Sequence, residues 1–74
     1  MTLNQLKIGQ SAVIRRITGE GLLRRRLLAM GLVKGTGIAM VKTAPMGDPI
    51  EYLIRDYHLS LRQSEAQCVE IDLL

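Results

Sequence analysis

His58 and Cys68, the single histidine and single cysteine of this chain, are its best candidates for nucleophilic or metal chemistry, with Asp48, Glu51 and Asp56 as carboxylates that could assist them. A thiol becomes a strong nucleophile when a nearby base takes its proton. Nothing of that kind lies beside Cys68 in sequence, so only folding could bring His58 to it. A closed structural metal site takes about four ligands. Asp56 and His58, two positions apart on an extended segment, come nearest to ligand spacing. Joined by Cys68 they would make at most a weak, exposed site. The plainer reading makes His58 a solvated strand residue and Cys68 a small buried apolar side chain. We expect no tight metal site, no cofactor and no enzyme. Gly19, Gly21, Gly35 and Gly37 form neither a phosphate-binding loop nor a dinucleotide fingerprint.

Binding chemistry is better represented. Arg24, Arg25 and Arg26 form the densest charge cluster. Single-stranded nucleic acid calls for a basic face interleaved with aromatics on which bases stack. Tyr52 and Tyr57 are the only aromatics and lie far from the arginines, so nucleic acid is not expected. Two readings stay open for the cluster. It is a solvated helix face, or it is the rim of a protein interface around Leu28, which falls between Arg24 and Arg25 at about 100° per residue.

A second feature is TAPMGDPIEY, residues 43–52. Pro45 and Pro49 restrict the loop and its exits. Gly47 supplies a permissive backbone position, and Asp48 can accept from local amides. The stretch is either a hairpin that sets strand register or a rigid prong that carries Met46 towards a partner. The partner-binding candidates are therefore Arg24, Arg25, Leu28, Met46 and Asp48.

The elements that must hold these residues are short. Residues 3–8 read as a turn or helical lead-in. Residues 11–17, SAVIRRI, are rich in β-branched side chains and read as a strand. Residues 22–30, LLRRRLLAM, read as a helix stopped by Gly31. Leu23, Leu27 and Met30 share its core face and leave Leu28 exposed. Residues 32–37 form a loop. Strands follow at 38–43, 50–55, 58–62 and 68–73, the last with Val69, Ile71 and Leu73 inward, and residues 63–66 make a short turn or one turn of tight helix. Five strands and one helix in 74 residues leave no room for two stacked sheets. Curling one sheet on itself hides its edges. We expect a single domain, residues 1–74, mainly β: a small five-stranded, partly open barrel with one helix between the first two strands.

Composition sets the class. At 47% hydrophobic the chain is too apolar for disorder. The lone cysteine excludes an internal disulfide and fits a reducing compartment. No segment is long and apolar enough to span a bilayer, and the N-terminus lacks a secretory pattern. We expect a cytoplasmic protein. Its net charge of +3 is compatible with an acidic partner.

Three segments in order resemble the ferrous iron transport protein A family, FeoA. The first is Arg26, Leu27, Met30, Gly31, Leu32 and Gly35 in RRRLLAMGLVKGTGI. The second is Ala44, Pro45, Gly47, Asp48 and Pro49 in TAPMGDPIEY. The third is Leu59, Leu61, Arg62, Glu65 and Ala66 in HLSLRQSEA. LNQLKIGQSAVI also fits the family's start, so the resemblance covers essentially the whole chain. It departs at Asp56, where a turn glycine is expected, and at Lys34, where proline is common. The resemblance implies an SH3-like barrel. It also implies an accessory of ferrous iron transport that docks on the cytoplasmic, GTPase-containing part of the membrane transporter FeoB, without inserting in the membrane. Self-association stays open. The same barrel is implied for the C-terminal domain of iron-dependent repressors, so a metal-responsive regulatory domain is the alternative, and a weak Fe2+ metallochaperone a third.

Overall fold

Buried apolar residues alternate with more exposed ones along the last three strands, and that alternation decides which face each strand buries. A computed structural model describes residues 1–74. After a 3-10 turn at Leu3–Gln5 the elements run β1 (Ser11–Ile17), α1 (Gly21–Ala29), β2 (Gly37–Thr43), β3 (Ile50–Ile54), β4 (Tyr57–Leu61), α2 (Gln63–Ala66) and β5 (Val69–Leu73). One antiparallel sheet holds all five strands in the order β4-β3-β2-β1-β5. This is the partly open, mainly β architecture expected, with α1 between the first two strands. α2, for which a turn or one turn of tight helix was expected, is a single helical turn.

Two bulges curl the sheet. In β1, strict alternation after Ala12 and Ile14 would turn Arg16 into the core. Pairing with β5 instead slips between Ile14 and Arg16, so Arg15 and Arg16 both face outward and Ile17 returns to the interior. In β2, alternation after Ile38 and Met40 would bury Lys42. The slip between Met40 and Lys42 puts that lysine opposite Glu51 on the outside. Burying an unpaired cation costs far more than a local break in the ladder.

The core is a cluster of 17 residues that includes Ile14, Leu27, Leu32, Tyr52, Ile54, Leu61 and Ile71. Tyr52, fully buried, donates its hydroxyl to the Leu3 carbonyl at 3.2 Å. Burial pushes its phenol pKa up, because the ionised form would lose its hydration.

Gly31 ends α1 as expected, at φ +97°. The Gly31 amide donates to the Leu28 carbonyl and the Leu32 amide to the Leu27 carbonyl, the paired bonds of a Schellman closure. The closure drives Leu32 into the core against Leu27. Leu32, in the loop expected over residues 32–37, is therefore an interior residue. Three expectations need correction. Met30 is the helix C-cap and only half-buried. Leu73, expected inward, is 50% exposed, at the last rung of β5 opposite the small Ala12. In the Arg55-Asp56 turn the left-handed residue is Arg55, at φ 53°, so Asp56 does not stand in for a glycine.

Candidate functional site

The possible metal ligands do not converge. No three histidine, cysteine or acidic side chains come together. Asp56 sits in the β3–β4 turn. His58 Nδ1 lies 3.0 Å from Glu51 Oε2 across the neighbouring strands. Cys68 lies elsewhere, packed against Gly19 and Leu23, with its Sγ 3.6 Å from the Ser64 carbonyl. The structure does not bring Asp56, His58 and Cys68 together.

The partner-binding candidates fall in two places. Arg24 and Leu28 line a groove of about 330 Å³ between α1 and the outer end of β1. Asp48 lines a different cleft of about 270 Å³, with Arg26, Pro49, Ser60, Arg62 and Glu65. Helical geometry explains the division, since Arg26 is turned about 200° from Arg24 and so lies on the opposite flank of α1. Arg25 points outward between the flanks and makes no ion pair. Leu28 is 37% exposed.

Two of the candidates are tied into the fold. The Arg24 guanidinium donates to the Ile17 carbonyl at 2.9 Å and pins α1 to the end of β1. Asp48 Oδ1 accepts the Gln63 amide at 2.9 Å, while Gln63 Nε2 donates to the Gly47 carbonyl at 3.0 Å. These bonds seat the hairpin tip on the start of α2. Ala44 closes the loop by donating to the Pro49 carbonyl and accepting from the Gly47 amide. The tip is thus a braced prong, and Met46 stands out from it at 93% exposure.

The cleft beside the prong is balanced in charge. Glu65, nearly buried, takes the Arg62 amide on Oε1 and the Arg26 guanidinium on Oε2, at 2.9 and 3.1 Å. This pairing joins α1 to α2, so Arg26 works inside the fold although it belongs to the basic run.

The groove on the other flank differs. Arg15, Arg16 and Lys34 join Arg24 on its walls, and no carboxylate lines it. The first reading of the basic cluster missed these three. Their signal was in the sequence, because a cation at the next inward position of β1 announces a bulge that turns its neighbours outward. Leu22, 81% exposed at the start of α1, was missed as well.

Comparison with known proteins places this geometry. The model of the FeoA domain matches residues 1–73. A Porphyromonas gingivalis protein named as a fusion of Fe(2+) transport protein A with the Fe(2+) transporter FeoB is 45% identical over all 74 residues, and the chain spans 9% of that protein's length. A putative Fe(2+) transport protein A of Campylobacter jejuni is 31% identical over the full length of both chains. Stenotrophomonas maltophilia FeoA, solved with zinc and described as a prokaryotic SH3 domain protein, is 34% identical and superposes with a TM-score of 0.86 over 97% of this chain and 89% of that one. A manganese-dependent transcriptional repressor shares the fold at a TM-score of 0.88 with 16% identity, over 100% of this chain and 41% of that one, a likeness of fold alone. Matched along nearly its whole length and carrying the SH3-like barrel of those relatives, the chain belongs to the FeoA family.

Proposed function

We propose that this chain is a small cytoplasmic accessory of ferrous iron uptake that works by docking on the cytoplasmic, GTPase-containing part of a FeoB transporter. The observation that carries this reading is the Porphyromonas gingivalis fusion, in which a segment 45% identical to the whole chain is joined to FeoB in one polypeptide. Covalent joining raises the local concentration of one module at the other, which serves a module whose work is contact. The surface supports the same reading. The chain offers grooves, an exposed Leu28 and a braced methionine prong. No helix is long and apolar enough to cross a membrane.

Arg25, Leu28 and Met46 are the contact residues in this proposal, with Arg24 and Asp48 holding the surfaces that present them. A pull-down on the detergent-solubilised transporter, with and without guanine nucleotide, tests it. Specific co-purification in at least one nucleotide state is the expected outcome. Absence of the transporter from both eluates would end the docking reading.

A further inference from the structure

We propose that the groove between α1 and β1 is the seat of an acidic polypeptide segment that carries a branched apolar side chain. The inference rests on the docking reading above and adds the chemistry of what docks.

The groove's floor is apolar, formed by Ile17, Leu28 and Leu32. Its walls carry Arg15, Arg16, Arg24 and Lys34, with no acidic side chain among the lining residues. The other two grooves are mixed. One sets Asp48 and Glu65 against Arg26 and Arg62, and the other sets Glu51 against Lys42. Only the α1–β1 groove concentrates one sign of charge, and its four cations exceed the whole chain's excess of +3.

Three of the four cations are weakly engaged, and only Arg16 has a close ion pair. Arg15 reaches Asp72 only at 4.0 Å, with both side chains more than half exposed. Arg16 pairs with Glu70 at 2.9 Å outside the lining. Arg24 spends one N–H on a neutral carbonyl and keeps its charge unpaired. Lys34 has no ion pair. A concave site lined by one charge sign focuses its field and attracts the opposite sign. The apolar floor then selects a segment that brings an aliphatic side chain between its carboxylates.

A peptide fits better than other anions. Stacking on bases needs an aromatic, and neither tyrosine serves. Tyr52 is buried, and Tyr57 does not line the groove. A lipid bilayer presents a flat surface, whereas the apolar part of this site lies in a groove, with Ile17 and Leu32 recessed at 7% and 0% exposure and Leu28 the main apolar contact.

The test titrates the isotope-labelled full chain, by NMR, with a short synthetic peptide of glutamates around two leucines. Its controls are the same peptide with serine for leucine, single-stranded DNA, and vesicles of anionic phospholipid. The leucine peptide is expected to shift the amides of residues 15–17, 24, 28 and 32–34, and to bind more weakly as salt rises. Lys34→Glu should weaken it by about tenfold or more, while Lys7→Glu, an equal charge change at an exposed site outside the groove, should change it by less than about threefold. Leu28→Ser should weaken the leucine peptide and leave the serine peptide unaffected.

Shifts confined to another face, equal effects of Lys7→Glu and Lys34→Glu, or tighter binding of DNA or vesicles at these residues would overturn the proposal. Pull-down of the transporter with the same variants separates the two readings. If the parent and Lys34→Glu dock equally, docking stands and the groove falls. If the peptide binds the groove and the parent does not dock, the groove stands and the transporter reading falls.

Discussion

A single leucine step along α1 changes a side chain's role. Leu27 is fully buried and Leu28 is 37% exposed. Leu27→Ala should cost about 2–5 kcal/mol, a large share of the stability of so small a domain. Leu28→Ala should cost well under that, and paired thermal melts check the order. Tyr52 makes a second prediction. Its phenol titrates higher in the fold than in the unfolded chain, because burial disfavours the anion. The stabilisation it brings is complete below the unfolded value of about 10 and declines as pH rises beyond it, since the unfolded chain then gains by releasing the proton. Denaturant unfolding should therefore show an alkaline loss of stability, and Tyr52→Phe should shrink that loss while removing the bond to Leu3. An alkaline profile identical in the variant would show that Tyr52 does not govern it. The pairing of His58 with Glu51, by contrast, was hidden from the sequence. It needed the β3–β4 register, which sets Leu53 opposite His58 and brings Glu51 within reach on the same outer face.

Between elements, the end of α1 and the start of β4 meet at one tight contact. Tyr57 donates its hydroxyl to the Met30 carbonyl, and a Cβ added at Gly31 would stand 2.8 Å from that hydroxyl oxygen. Gly31→Ala therefore faces both a positive φ and a clash, and should destabilise by at least about 1 kcal/mol. In a Tyr57→Phe background the clash disappears and the backbone strain remains, so the cost of Gly31→Ala should fall without vanishing. A double-mutant cycle by denaturant unfolding measures the difference. A purely additive cycle would mean that the two residues do not meet. The existence and order of the elements were legible because β-branched enrichment in β1, apolar alternation in the later strands and Gly31 are local signals. The burial of Leu32 was not legible because the Schellman closure that causes it follows the end of helical periodicity. The bulges were legible in principle, since Arg16 and Lys42 fall at inward positions. The groove was not legible, because it exists only where α1 lies against β1, a relation no local pattern encodes.

At the scale of the molecule, the proposed contacts lie on two flanks of a body 30 × 25 × 23 Å in extent. The α1–β1 groove is on one flank and Met46 projects beside the other, so a single flat partner surface would not cover both. Contacts split in this way let each be weak while the assembly holds, and the fused relative supplies the means of testing it. A flexible linker holds two modules at an effective concentration on the order of millimolar, which offsets a loss of intrinsic affinity without restoring any contact. We expect Arg25→Glu with Met46→Ser to lower ferrous iron uptake when the chain is expressed separately from its transporter in cells lacking the native copy. Genetic fusion of the same variant to the transporter should recover most of that uptake. Leu27→Ala, which damages the core, should not be recovered by fusion. The measurement is radiolabelled Fe2+ uptake in the separate and fused formats, with folding checked by circular dichroism. Failure of the fusion to recover the surface variant, when the fused parent is active, would mean that Arg25 and Met46 act in a step after docking.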